Sequence, residues 1–306
     1  MNENTSINLY IRLKSHVSIV LFGSYPSFHI FVNYYASIKH NHMALNFKQL
    51  TFISLVLLGM NSGFAQLGFS HEIGVIAGPV AFQSDFGVRN NLETNAGNTG
   101  FGIGIVHYIN FSYKADCNCY STDTYFNDHF KLRSEISYNK TKLNHFGDWA
   151  DDPRPRYDKL RAHSGVASNF DIGMQLEFFP QSIRAFSATR YSFAPFLSLG
   201  PHFTSYNPKA STTFGDGNVN NNANIFNSWV NQPGDKPVKI DGGTTWSVVG
   251  SVGTRYKLAI LSDLMVDLRW QYFFNNEVDG LDHKLASNKA NDWLVWLNFG
   301  YIYYLD

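Results

Sequence analysis

Phe170-Asp171-Ile172-Gly173-Met174-Gln175-Leu176-Glu177-Phe178-Phe179 places an apolar side chain at every even position and a polar one or glycine at every odd position until Phe179 closes the run. A period of two puts the two sets on opposite faces of an extended strand. The run is ten residues long, which is the length a tilted strand needs to cross a bilayer. This segment serves as the template against which the rest of the chain is read.

The same alternation recurs along the chain. Phe69 to Phe82 sets Ile73, Val75 and Ala77 against Glu72, Gly74 and Gly78, and Phe101 to Tyr113 alternates imperfectly, Ile103, Ile105 and Ile109 being interspersed with glycines and His107. Phe130 to Tyr138 opposes Phe130, Leu132, Ile136 and Tyr138 to Lys131, Arg133, Glu135 and Ser137. Tyr191 to Tyr206 groups Tyr191, Phe193, Leu197, Leu199 and Phe203, with Pro195 removing one ladder donor. Trp246 to Leu258 opposes Trp246, Val248, Val252, Tyr256 and Leu258 to Ser247, Ser251, Arg255 and Lys257. Leu264 to Tyr272 opposes Leu264, Val266, Leu268, Trp270 and Tyr272 to Asp267, Arg269 and Gln271, and Trp293 to Leu305 carries Val295, Leu297, Phe299, Tyr301 and Tyr303 in register.

With the template strand these segments make eight, and the connections between them fall into two classes. Those over 83–100, 139–169, 207–245 and 273–292 are long and rich in Asn, Gly and Asp, whereas 114–129, 180–190 and 259–263 are shorter. Long loops at one end and short turns at the other are the asymmetry of transmembrane barrels. The expected fold is therefore all-β: an eight-stranded antiparallel up-and-down transmembrane barrel, or a ten-stranded one if Asn224 to Ile240 forms an extra hairpin.

Charge decides which face looks inward. A lysine or arginine facing lipid near the midplane costs about 2–4 kcal/mol. The strand charges Glu72, Lys131, Arg133, Glu135, Asp171, Glu177, Arg255, Lys257, Asp267 and Arg269 are thus assigned to the interior. Acids and bases cancel in this set, and an eight-stranded barrel is only wide enough for side chains to fill it. A paired internal network, and a plugged barrel rather than a pore, is the expectation. Tyr191 and Trp246 near strand starts, and Phe178, Trp270, Tyr272, Tyr301 and Tyr303 near strand ends, stand where interface girdles belong.

The front of the chain reads as an export signal. After Met43, Lys48 is a basic flank, Leu50 to Leu58 an apolar core and Gly63-Phe64-Ala65 a small-residue cleavage site. Residues 1–42 are then an upstream extension from a misplaced start, 43–65 a signal peptide cleaved after Ala65, and 66–306 the barrel. A competing reading makes Val17 to Ile38 a membrane helix, interrupted by Pro26, His29 and Asn33. Formal net charge is +0 and mean hydropathy −0.20. That balance gives no sign of a nucleic-acid partner, and apolar residues diluted by alternation suit a strand-built membrane protein.

Motifs that carry chemistry are sparse. Cys117-Asn118-Cys119 lacks the further ligands a metal needs, and a bridge across one residue is strained. Asp216-Gly217-Asn218-Val219-Asn220 imitates the start of a calcium loop, but Asn221 replaces the turn glycine and Asn227 the closing glutamate, so a disordered Asn-rich loop is expected. Asp148, Asp151, Asp152 and Asp158 with Arg154 and Arg156 form a charged loop that offers a site for divalent ions or lipopolysaccharide, although such clusters usually just keep an exposed loop solvated. His202 and Thr204 share a strand face in a His-x-Thr arrangement, but no orienting acid can be named. No cofactor, metal or catalytic residue is assigned.

His71-Glu72-Ile73-Gly74-Val75, Leu132-Arg133-Ser134-Glu135-Ile136, Phe196 to Gly200 and the Phe274 to Leu281 region resemble the small outer-membrane barrels of Bacteroidota, a flavobacterial group in particular. More distantly they are similar to PorG-type proteins associated with type IX secretion. The resemblance implies an outer-membrane location and a scaffold or anchor role, with membrane lipid and envelope or secretion proteins as partners. A small enzyme or binder acting on outer-membrane lipid is the alternative reading, and a narrow channel the third.

Overall fold

The structure, a computed structural model, describes residues 9–12, 17–24, 27–34, 69–88, 91–111, 125–188, 192–232, 234–283, 285 and 291–305. The chain divides into two compact units, Met1–Ala65 and Gln66–Asp306. In the first, β1 (Leu9–Arg12), β2 (Val17–Ser24) and β3 (Ser27–Tyr34) form an antiparallel meander. The competing membrane helix over Val17 to Ile38 is therefore not formed in its described part, where β-branched and aromatic residues favour the extended chain. The signal-peptide segment 43–65 and Cys117-Asn118-Cys119 lie outside the described residues.

The second unit is a closed antiparallel barrel of eight strands. They are β4 (Ser70–Gln83), β5 (Thr99–Asn110), β6 (Phe130–Asn144), β7 (His163–Phe178), β8 (Phe193–Tyr206), β10 (Gly243–Ala259), β11 (Ser262–Phe273) and β12 (Trp293–Tyr304). Each strand pairs with its neighbour in the chain, and β12 returns to β4 with Tyr303 opposite Ile73 and Trp293 opposite Gln83. Over the length the eight strands share, closure pairs every strand on both sides. The hairpin expected over Asn224 to Ile240 is absent: short 3-10 turns at Asn222–Asn224 and Asn227–Trp229 occupy that region. The added strand is instead β9 (Lys209–Thr212), which follows a break at Pro208 and pairs with His163–Val166 of β7.

Strands β6 and β7 outrun the sequence expectation, pairing continuously from Phe130 opposite Phe178 to Asn144 opposite Ser164. Their outer thirds, with β9, continue the barrel wall past the other strands. Prolines fall where a missing donor does least harm. Pro195 pairs with Thr254 of β10, and on its other side β7 has already ended at Phe178. Pro79 and Pro201 lie where the rungs to β12 and β7 are interrupted.

Alternation turns the molecule inside out relative to a water-soluble barrel. On β6, Arg133 is 0% exposed and Glu135 2%, whereas Ile136 is 51% and Tyr138 44% exposed. Ile73, Val75, Ile105, Ile172, Leu199, Val252, Val266 and Phe299 likewise present their side chains outward. At the end holding both barrel termini an aromatic chain runs around the wall: Phe69 to Phe111 at 5.8 Å, Phe111 to Phe126 at 5.2 Å, Phe126 to Phe130 at 4.8 Å and Phe130 to Phe178 at 5.1 Å. Tyr301 and Tyr303 are exposed at the same end. Towards the other end Trp246 packs on Phe203 at 5.4 Å, and Trp270 and Tyr272 are exposed. Tyr191 lies outside the described residues.

This surface makes a depth-dependent prediction. Val252→Arg, at the middle of β10, should destabilise the barrel in lipid vesicles by about 2–4 kcal/mol, while Thr244→Arg near the strand start costs about 0–1 kcal/mol. Urea titration of vesicle-folded protein measures both, and equal losses would contradict the outward assignment.

Candidate functional site

Side chains from all eight barrel strands meet in its interior, and those of five build an ionic network on the axis. At the terminal end, Lys257 of β10 faces Asp263 of β11 at 3.3 Å, and Arg255 lies 3.9 Å from the same acid. Arg255 then bridges Glu72 of β4 at 2.6 Å and Glu177 of β7 at 3.1 Å, while Lys131 of β6 donates to Glu72 at 2.5 Å. Arg133 continues the chain of pairs to Glu177 at 3.5 Å, Asp267 at 3.0 Å and Glu135 at 2.8 Å. Arg269 closes it with a two-pronged contact to Glu135 at 2.6 and 2.5 Å. Guanidinium faces lie on aromatic rings, with Arg255 4.2 Å from Tyr108 and Arg269 4.8 Å from Trp296.

Nine of the ten sequence-assigned charges thus join one ionic network, and the tenth does not. Asp171 accepts hydrogen bonds from Thr204 at 2.5 Å and Gln271 at 2.8 Å, with Asn139 at 3.4 Å. Asp263 carries no strand signal in the sequence, because β11 starts two residues before Leu264, right after the tight turn at Ile260 and Leu261. With Asp263 included the interior acids outnumber the bases, so the balance read from the sequence is corrected. Asp171 holds its place through neutral donors. His202 and Thr204 also lie in the lumen, His202 within 3.1 Å of Gln175, so the pair is walled off from the lipid-facing surface.

The long connections converge at the opposite end from the termini. Trp229 is buried at the centre of the cap, with ring centres 5.2 Å from His145, 5.1 Å from His163 and 5.7 Å from His283. Phe86 stacks on His145 at 4.8 Å and on His163 at 5.3 Å. One ring from each long connection, together with the start of β7, is locked into this cluster. His145 Nδ1 contacts the Phe86 carbonyl at 2.8 Å, and a carbonyl only accepts, so this nitrogen carries the proton. The neutral ring then accepts through Nε2 from His163 Nδ1 at 3.2 Å. Burial holds His145 well below the usual imidazole range, and the neighbouring His163 adds to it.

The loop motifs are ordered by their own side chains. Asp216 accepts from the Asn218 backbone at 3.0 Å and from the Asn224 amide, Asn218 accepts from Asn220 at 2.9 Å, and Asn221 accepts from Ala223 at 3.0 Å. The expected disorder is therefore replaced by a run of Asx turns, with Gly215 and Gly217 at φ +63 and +75. In the acidic loop Asp152 pairs with Arg154 and Asp158 with Arg161. Among the described residues no group of three or more His, Cys, Asp or Glu is arranged to hold a metal.

No protein-family model and no curated protein matches the chain. Among solved structures it is similar to neisserial surface protein A, at 14% identity and a TM-score of 0.38 over 76% of this chain and 96% of that one. It is also similar to the outer membrane protein OprG from Pseudomonas aeruginosa, at 11% identity and a TM-score of 0.37 over 77% and 97%. A major outer membrane protein from Thermus thermophilus aligns at 11% identity and a TM-score of 0.40, over 77% and 99%.

Two predictions come from this geometry. Glu135→Gln leaves Arg269 and Arg133 short of a counter-charge and should destabilise the barrel by about 3–5 kcal/mol, while replacing Glu135 and Arg269 together by apolar residues recovers part of the loss. Denaturant titration of the two variants is the check. On the surface, hydrogen bonding from Arg154 holds the Asp152 carboxyl down at about 2. Its folded value is depressed, so the Arg154 contact is fully present above the ordinary carboxylate range and is lost as pH falls through about 2. An NMR titration should show that midpoint, and Arg154→Ala should move it upward.

Proposed function

We propose that this chain is an outer-membrane β-barrel acting as a structural anchor, which holds a packed set of loops at the cell surface for interaction with other envelope components. One observation carries the reading: ionised side chains on the axis and apolar side chains on the outer wall, between two aromatic girdles. That distribution is stable only with hydrocarbon outside. Membrane lipid is then the immediate partner. The PorG-like resemblance extends the proposal to a place beside a protein secretion assembly.

A filled lumen favours an anchor over a channel. Arg133, Arg255 and Arg269 are fully buried and cross the interior to carboxylates on other strands. The lipid-enzyme alternative loses its named pair, since His202 and Thr204 are lumenal.

The protein should stay with the membrane until detergent is added, and planar bilayers should show no conductance of porin size. Crosslinking in intact envelopes followed by pull-down should recover envelope or secretion proteins. Release into buffer without detergent would overturn the membrane reading, large conductance the plugged lumen, and recovery of no such protein the assembly role.

A further inference from the structure

The cap holds a cavity of about 180 Å³ that neither the anchor nor the lumenal network uses. Trp229 and Leu160, both buried, form part of its floor, and Asn91, Glu93, Asp148 and the half-exposed Trp149 stand at its rim. Gly147, at φ +88, allows the tight turn that brings Asp148 and Trp149 there. The rim indole is backed by Tyr157 at 6.1 Å and Phe226 at 6.2 Å, so its orientation is set by packing. The cavity is thus built from loops that the Trp229 cluster already fixes.

Size and chemistry narrow the occupant. Drug-sized ligands fill about 300–1,000 Å³, so this space suits a single ring. The described lining residues include no lysine or arginine, while Asp85, Glu93 and Asp148 are acidic, which disfavours an anion. Small metal ions lack a ligand set among the described residues. A ring with one apolar face and an edge of hydroxyls fits best. Aromatic faces take the C–H side, and the two rim carboxylates, Glu93 and Asp148, accept from hydroxyls. Asn91 adds a donor, its side-chain oxygen being held by the Glu93 backbone N–H at 3.0 Å with the NH2 as the amide's donating group. We propose that this cavity binds one neutral sugar ring at the outer surface. The proposal rests on the reading of this end of the barrel as the outward-facing one.

The test uses the full chain in detergent, titrated with glucose, galactose, mannose and N-acetylglucosamine and followed by saturation-transfer NMR and tryptophan emission. Saturable binding of at least one sugar is expected. Trp149→Ala and Asp148→Asn should each weaken it about tenfold, the loss of one charge-assisted or stacking contact, whereas Thr244→Ala leaves it unchanged. Vesicles bearing the bound sugar as a glycolipid headgroup form a second arm. Tighter binding there assigns a membrane-borne source, and equal binding a soluble one. Absence of saturable binding to every sugar, preference for tetramethylammonium over all of them, or binding untouched by both variants would overturn the proposal. Heat-modifiable gel mobility of the same sample checks the barrel separately. A folded barrel that ignores sugars sinks this proposal alone, and a chain soluble without detergent sinks the anchor reading.

Discussion

Arg133 reaches carboxylates on three strands, Glu135 on its own β6, Glu177 on β7 and Asp267 on β11. A guanidinium removed from water tolerates burial only when counter-charges surround it, and no single neighbour in the sheet can supply them. The wall must curve until distant strands face one another. Ionic pairing across the axis and apolar exposure around the circumference are therefore one constraint seen from two sides. Every residue that alternates along a strand answers to both.

Much of this was readable in the chain because a period of two survives any twist or tilt. Lys131, Arg133 and Glu135 alternate with Leu132, Ser134 and Ile136, and the cost of charge in lipid then fixes which set turns inward. His202 and Thr204 share their parity with Ser198, so their lumenal place follows from the same rule. The limits lay at strand ends. The place of Asp263 is hidden because a two-residue turn leaves no composition signal, and the outer reaches of β6 and β7 are hidden because Asn139, Lys140, Asn169 and Ser168 have the composition of a loop. They form strand only because each completes the other's ladder.

The cap was harder to foresee. Phe86, His145, Trp229 and His283 sit in four separate connections with no periodicity to link them. Their one visible signal is an aromatic or imidazole ring within otherwise polar stretches. Asx turns from Asp216 to Ala223 likewise needed the backbone to be seen, since asparagine-rich sequence is common to ordered turns and to solvated coil. What emerges is a cap held by stacking where the lumen is held by charge.

The long-range character of the axis contacts bears on how the chain reaches its native state. Glu72 lies on the first barrel strand, and its partners lie 59 and 183 residues onward, on the third and sixth. Arg269 meets Glu135 across 134 residues. A half-assembled sheet keeps its local pairs, such as Lys257 with Asp263 and Arg133 with Glu135, but lacks those that cross the axis, so the topology is intrinsically slow. Closing the seam between β12 and β4 fixes Glu72 on the wall opposite Arg255, so the last edge to be sealed carries one of the acids that the core's cations need.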